Sequence, residues 1–283
     1  ISSIVYRKDN VKIRFYNPLY LENTQYAIDT KLRKNRDIYK LIVPFVLSEY
    51  NNAVFLDSNL IINTEFKELL KLFGRTDFLV AATKDLSIQG RCNYSPKYKM
   101  SLVSEVGIYN PYQYFNTSFF VLNLQLFREK IDKYAILNMF DIDSKHDAAD
   151  FINELLQGSV HFLDYDWNYL ISFSQNTLNC INNAVFSELM EFRKISKQSI
   201  KIFNYCEELK TWNDGASLLA WNYWFYARQS PFYERLLYEF LSQSFVDFES
   251  HSVVSKKIQE LLVNMHVNFP SKTSLVPCIA FAG

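Results

Sequence analysis

The sequence predicts an α/β protein with a mostly parallel central sheet, helices on both faces of that sheet and a helical C-terminal part. Three observations support this fold class. Short apolar runs alternate with segments of helical periodicity. Several runs are apolar at consecutive positions, as in strands buried on both faces. After residue 215 the patterns are helical, so we divide the chain into an α/β domain at 1–215 and a helical extension at 216–283 packed on it.

The first predicted helix covers residues 37–49, where apolar residues at helical spacing form one stripe and Pro44 is expected to bend the axis. The sequence AVFLDSN at 53–59 follows. Its apolar residues change abruptly to polar ones, which predicts a strand buried on both faces that ends near Asp57.

A helix at 65–73, ended by Gly74, and a strand at 77–83 come next. From Asp85 to about Gln113 the sequence predicts a long loop with a binding or lid function, and a disordered insertion is the alternative.

The remaining predicted elements are strands at 118–124, 160–170 and 199–205 and helices at 125–140, 148–157, 216–229, 232–245 and 253–265. Asp147 is expected to cap the helix at 148–157, and Gly158 to end it. The two aromatic-rich helices after residue 215 are expected to contribute to the core, and stacking of their aromatic side chains on sugars is the alternative. Because ligands of such sheets bind beyond the carboxyl ends of strands, the polar residues at those ends are candidates for a site.

Composition excludes several classes of function. Lysine plus arginine and aspartate plus glutamate number 30 each, so binding of nucleic acid through bulk charge is not expected. No apolar stretch has the roughly 20 residues needed to cross a bilayer, and no glycine-rich phosphate loop is present. The four cysteines lack paired spacing, which indicates reduced thiols and a cytoplasmic location, with or without peripheral contact to a membrane.

The most informative local pattern is FLDSN, where Asp57 and Asn59 follow a strand two residues apart. Alternate residues of an extended segment share a face, so both side chains can enter one crevice. Oxygen ligands in that arrangement suit Mg²⁺ or Mn²⁺. An ordinary turn after a strand is the alternative.

Several blocks in one order resemble glycosyltransferase family 8, the retaining UDP-hexose transferases of the lipopolysaccharide galactosyl- and glucosyltransferase type. The blocks are YKLIVPFVLSEYNNAVFLDSNLIIN at 39–63, Asp85, YFNTSFFVLNLQLFREK at 114–130, KIFNYCEELKTW at 201–212 and WFYARQSPFYE at 224–234. The resemblance implies a nucleotide-diphospho-sugar transferase fold and a function in bacterial polysaccharide biosynthesis.

By this resemblance, Asp57 is similar to the first acid of an Asp-X-Asp triplet and Asn59 occupies the position of its second, metal-binding acid. Asn204 stands where the family has a metal-binding histidine, which implies a Mn²⁺ or Mg²⁺ site weakened by two amides. Lys40 stands where an arginine is usual.

The resemblance also assigns donor-binding residues. They are Lys40, Asp57, Asp85, Asn116, Asp150, Lys210 and Trp212. Three positions depart from the family: Ala148 and Ala149 replace a donor-contacting pair, and Glu207 replaces a glycine near the diphosphate. No catalytic nucleophile is identified.

The resemblance implies transfer of a hexose from a UDP-sugar to a surface glycan or glycoprotein acceptor, with retention. The departures leave open a non-catalytic member that serves as a binding or assembly module for a partner transferase, and a transferase that uses basic side chains instead of a metal. The family begins with a uridine-binding strand and loop, whereas this chain begins with a segment that resembles a later part. Either the sequence continues before Ile1 or the nucleotide pocket is incomplete.

Overall fold

The computed structural model describes residues 39–133 except 66, 74 and 76, residue 136, residues 147–206 except 173, residues 219–248 and residues 278–280. The predicted helix at 253–265 lies outside the described residues, as do Glu207, Lys210 and Trp212.

The described helices are α1 (Tyr39–Val46), α2 (Lys67–Leu70), α3 (Leu86–Tyr94), α4 (Pro96–Ser101), α5 (Leu124–Lys130), α6 (Ala148–Leu156), α7 (Gln175–Asn182), α8 (Phe186–Lys194), α9 (Ala220–Ala227) and α10 (Tyr233–Phe248). The strands are β1 (Asn52–Leu56), β2 (Leu60–Ile62), β3 (Val80–Lys84), β4 (Phe115–Asn123), β5 (Val160–Phe162), β6 (Tyr169–Ile171), β7 (Ile202–Tyr205) and β8 (Cys278–Ala280).

The strands form two sheets, in the orders β5-β3-β4-β1-β8 and β2-β7-β6. The α/β class is confirmed, but the prediction of a mostly parallel sheet needs a correction. Strands β1, β3 and β5 run in one direction as expected, yet β4 lies antiparallel between β1 and β3, and β8 is antiparallel to β1. In the second sheet β6 is parallel and β2 antiparallel to β7. The alternation of strands and helices does not reveal which strand is inserted between two others.

Both faces of the larger sheet are buried, as the apolar runs predict. Alternate residues of β1 belong to different cores: Ala53 and Phe55 pack on one face, Val54 and Leu56 on the other. Phe55 stacks on Phe120 of β4, with ring centroids 4.5 Å apart. The sheet is therefore fixed from two sides, which holds the ends of its strands in place.

The long loop predicted after Asp85 is wrong, because α3, α4, a π-helical turn at Leu102–Val106 and a 3₁₀ turn at Pro111–Gln113 occupy this stretch. The Asp85 carboxylate caps α3 by accepting hydrogen bonds from the backbone N–H groups of Ser87 and Ile88, at 2.9 and 3.2 Å. Helix α3 contains Gly90 and only a weak apolar stripe, so periodicity does not identify it.

Gly90 lets α3 and α7 approach each other closely. A Cβ atom at this position would lie 1.6 Å from the backbone oxygen of Cys180 in α7. Helices α7 and α8 were not predicted. The segment between residues 171 and 199 therefore adds a helical wall against α3.

Other boundaries agree in part with the prediction. Helix α1 contains Pro44 as expected, and Asp147 caps α6, which Gly158 follows with φ of +78°. Helix α2 is shorter than predicted. Helix α5 ends at Lys130, and most of the remaining predicted helix to residue 140 lies outside the described residues.

The aromatic residues of α9 do not all enter the core. Trp221 is 65% exposed and Phe225 is 55% exposed, while Ala220 and Ala227 are buried. The expectation of a core-facing aromatic helix is thus wrong for these two side chains, since the inward positions of α9 carry small residues.

Across the part of the chain that is described, we find no helix with the length and apolar character required to span a bilayer.

Candidate functional site

One edge of the larger sheet collects residues from three strands. Asp57 follows β1, Asp85 follows β3, and Asn116 lies near the start of β4. Because β4 is antiparallel to its neighbours, its beginning meets their carboxyl ends. The backbone N–H of Asp57 donates to Ser118 O at 2.9 Å, and that of Asp85 donates to Tyr114 O at 2.8 Å. These bonds place three predicted site residues at one edge.

The second sheet brings Asn59 and Asn204 to the same edge. Asn204 pairs with Leu60 in the β2–β7 ladder, and the backbone N–H of Tyr205 donates to Asn59 O at 3.1 Å. The Asn59 Nδ2 group donates to Asn204 Oδ1 at 3.0 Å. Residues separated by 145 positions in the chain thus share a direct side-chain contact.

A hydrogen-bonded row of amide side chains runs from Asn59 to Asp85. Asn204 Nδ2 donates to Asn168 Oδ1 at 2.9 Å, and Asn168 Nδ2 donates to Asn116 Oδ1 at 3.0 Å. Asn116 Nδ2 then donates to Asp85 Oδ2 at 2.8 Å. We call Asn59, Asn204, Asn168, Asn116 and Asp85 the amide row. Sequence reasoning missed Asn168, which is 1% exposed and lies in the 3₁₀ turn before β6.

The amide row forms part of the wall of a cleft with a volume of about 450 Å³. Asn59, Asp85 and Asn116 line this cleft, whereas Asn204 and Asn168 are buried behind them. Additional lining residues come from α3, α7 and neighbouring strands: Ser87, Ile88, Arg91, Ser118, Leu170, Asn176, Thr177, Cys180 and Cys206. Hydroxyl and amide groups therefore face the cleft from two sides.

Lys40 and Asp57 form an ion pair beside the amide row. Lys40 Nζ lies 2.8 Å from Asp57 Oδ1 and donates to Thr117 O at 2.9 Å. The Lys40 side chain is 7% exposed and that of Asp57 is 25% exposed. Asp57 and Asn59, predicted to enter one crevice together, have different partners here, and only Asn59 is among the residues that line the cleft.

Asp150 lies behind the start of β4. Its Oδ1 atom accepts a hydrogen bond from the Tyr114 hydroxyl at 2.8 Å. Burial, supported by the nearby charge of Asp150, raises the pKa of Tyr114, so this hydroxyl remains a donor. Asn153 bonds both backbone groups of Phe115. Asp150 is not among the cleft-lining residues, and its contacts support the strand that carries Asn116.

The residues present do not fit a divalent metal ion. Of the three predicted ligands, Asp57 is paired with the Lys40 ammonium and Asn204 Oδ1 accepts from Asn59 Nδ2. Among these three residues, Asn59 carries a buried oxygen atom, Oδ1, without a hydrogen-bond partner in the described structure. Hard divalent ions favour anionic oxygen ligands, and in the described part of the chain no three histidine, cysteine, aspartate or glutamate side chains group together.

A second, half-buried ion pair anchors α8 next to the site. The ammonium group of Lys84, one residue before Asp85, donates to Glu188 Oε1, and the Tyr165 hydroxyl donates to Glu188 Oε2 at 2.6 Å. Burial acts to raise the pKa of Glu188. The hydrogen bonds from Lys84 and Tyr165 outweigh burial and hold this pKa below its ordinary value of 4.5.

Glu188→Gln is expected to reduce stability at neutral pH but not in acid. Because the pKa of Glu188 is lower in the folded protein, its carboxylate stabilises the fold above the ordinary pKa, and this contribution disappears as pH falls through the folded value. Urea unfolding of the unmodified chain and of Glu188→Gln, between about pH 3.5 and 7, measures this contribution of the carboxylate. The difference in free energy of unfolding should narrow towards acid pH. A constant difference would show that the variant acts through packing instead.

A family model described as Glycosyl transferase family 8 matches residues 4–216 of the chain. No curated protein sequence matches this chain.

Several solved structures are similar to the chain, and two of them are compared with it. The WbbM bifunctional glycosyltransferase in its apo form is 22% identical, with a TM-score of 0.62, over 71% of this chain and 36% of WbbM. The galactosyltransferase LgtC, in complex with donor and acceptor sugar analogues, is 15% identical, with a TM-score of 0.56, over 79% of this chain and 76% of LgtC. The chain thus spans about a third of the length of WbbM. Both similarities confirm the α/β class of the fold.

Proposed function

The chain belongs to glycosyl transferase family 8, and from this premise we propose that it transfers a hexose from a UDP-sugar to a surface glycan or glycoprotein acceptor with retention of configuration. The observation that carries the proposal is the amide row, which assembles chain-distant polar residues along one cleft. The comparisons give no support to the alternative of a binding or assembly module for another transferase.

The polar wall of the cleft suits a sugar. Asp85 and Asn116 each present hydrogen-bonding groups at the cleft, and carboxylate and amide oxygens accept bonds from sugar hydroxyls. Their orientations are fixed by backbone contacts, since Asn116 Oδ1 also accepts from the N–H of Ser118 at 3.0 Å. We assign these two residues to the donor hexose.

The charge of the diphosphate needs a favourable environment. Lys40 neutralises Asp57, so this carboxylate does not repel an approaching diphosphate. We assign charge stabilisation on the leaving UDP to Lys210, and stacking beside the site to Trp212. Asp150 serves as a positioning residue through Tyr114.

The residues of α3 and α7 that line the cleft are assigned to the acceptor. Ser87 and Arg91 from α3 and Asn176 and Thr177 from α7 are among them. These are donor and acceptor groups of the kind that bind glycan hydroxyls. An acceptor lying there would have a hydroxyl close to the donor hexose.

Release of UDP from a panel of UDP-hexoses, with candidate glycan acceptors, tests the proposal. We expect release with at least one donor, and ¹H NMR of the product should show that the anomeric configuration is retained. Asn116→Ala should lower the rate about 10- to 100-fold because it removes a donor contact. Asn179→Ala is the matched control, since this exposed amide of α7 is not among the cleft-lining residues. Failure to release or bind any UDP-hexose would refute the proposal.

A further inference from the structure

The amide row has a fixed direction. At one end Asn59 Nδ2 also donates to Tyr205 O at 3.2 Å, which settles the position of the Asn59 nitrogen. At the other end Asn116 Oδ1 accepts from the backbone N–H of Ser118, and its Nδ2 faces the Asp85 carboxylate. Every nitrogen in the row therefore points towards Asp85, and every oxygen points away from it.

This direction leaves one atom unsatisfied. Asn59 Oδ1 is buried and has no hydrogen-bond partner in the described structure, and Asn59 lines the cleft. A buried acceptor without a partner is unfavourable. Hydrogen bonds in a chain polarise one another, and the Asp85 anion at the far end shifts electron density towards Asn59 Oδ1. This oxygen is thus a strengthened acceptor without a partner, carried by a residue that lines the cleft.

A divalent cation is a poor partner for it. The neighbouring carboxylate, Asp57, is held by the Lys40 ammonium at 2.8 Å, and a second cation there would meet the charge of the lysine. Asn204 Oδ1 is already bonded to Asn59 Nδ2. Coordination by Asn204 would break the row at its first bond. A neutral hydroxyl group can donate to Asn59 Oδ1 without repulsion from the Lys40 charge and without breaking the hydrogen bond between Asn59 and Asn204.

We propose that this chain binds its sugar nucleotide without a divalent cation, and that Asn59 Oδ1 accepts a hydrogen bond from a hydroxyl group of that ligand. The inference rests on the proposed function, because it assigns a contact within the same donor site. In this account the Lys40–Asp57 pair and the amide row occupy the place where a metal centre was expected from the sequence.

Calorimetry tests the first part of the inference. UDP-glucose and UDP-galactose are titrated into the chain in EDTA and again in Mn²⁺. The expected result is binding with a Kd that differs by less than about twofold between the two conditions. A Kd that weakens tenfold or more in EDTA would overturn the inference. Absence of binding under both conditions would count against the proposed function instead.

Electron paramagnetic resonance tests for a metal site that forms without any nucleotide. We expect the signal of free hexaaqua Mn²⁺ to be undiminished by the chain. The double variant Asn59→Asp with Asn204→His supplies a carboxylate and an imidazole and should reduce that signal. Loss of the signal with the unmodified chain would overturn the inference, whatever the nucleotide result.

Asn59→Ala tests the hydroxyl contact. Its Kd for the bound UDP-hexose should rise about tenfold, equally in EDTA and in Mn²⁺. Thermal melting verifies that the variant is folded, and Asn179→Ala is again the control. Unchanged affinity in folded Asn59→Ala would remove Asn59 from the ligand site.

Discussion

Asp85→Asn is expected to lower the free energy of unfolding by about 2–4 kcal/mol. The same substitution is expected to lower the rate of UDP release by about 100-fold or more. The new amide can still cap α3 with its oxygen, so its nitrogen then faces Asn116 Nδ2. Two donors cannot bond each other. Asn116 must turn, and its oxygen then leaves the backbone N–H of Ser118. At least two buried groups lose their hydrogen-bond partners, and a contact with the donor hexose is lost as well.

Urea unfolding and a UDP-release assay measure the two effects of Asp85→Asn. Asp77→Asn is the matched control, because Asp77 is an exposed carboxylate bonded to Arg75 outside the cleft. The free energy of unfolding of the control should stay within about 0.5 kcal/mol of the value for the unmodified chain. An Asp85→Asn protein as stable and as active as the control would mean that the amide row contributes nothing.

Gly90→Ala is expected to destabilise the chain by about 3 kcal/mol or more. Helix propensity alone favours alanine over glycine by about 1 kcal/mol. Packing determines whether the substitution stabilises or destabilises the chain, since the added Cβ would lie 1.6 Å from Cys180 O, a backbone atom that cannot rotate away. Helices α3 and α7 must separate, and both carry residues that line the cleft.

Thermal and urea unfolding check this prediction. Lys97→Ala in α4 places alanine at an exposed helical position and should leave stability nearly unchanged. A Gly90→Ala protein that melts at or above the temperature of the unmodified chain would show that α3 and α7 are farther apart than described.

Much of the fold could be predicted from local patterns. Consecutive apolar residues in β1 predicted a strand buried on both faces, and a second apolar run predicted the strand β3. Asp147 and Gly158 correctly predicted the ends of α6. Helix α3 was missed for a physical reason. Its glycine serves contact with α7 and its apolar stripe is weak, so the evidence for this helix lies in tertiary packing.

The site could be predicted only in part. The expectation that ligands bind beyond the carboxyl ends of strands leads to Asp57 and Asp85, but it also points to Asn123 at the end of β4. Since β4 is antiparallel, Asn123 lies at the opposite edge, where its side chain caps α5 and donates to Arg75 O. Asn116 came from the family resemblance alone. Asn168 gave no signal, because a buried asparagine in a short turn looks like an ordinary loop residue.

The amide row is assigned to the wall of the donor site, and a crystal structure with a UDP-hexose bound examines this assignment. We expect density for the hexose within the cleft, in contact with Asp85 and Asn116, and a ligand hydroxyl within hydrogen-bonding distance of Asn59 Oδ1. Density for the sugar nucleotide elsewhere on the chain, with the amide row out of contact, would refute the assignment.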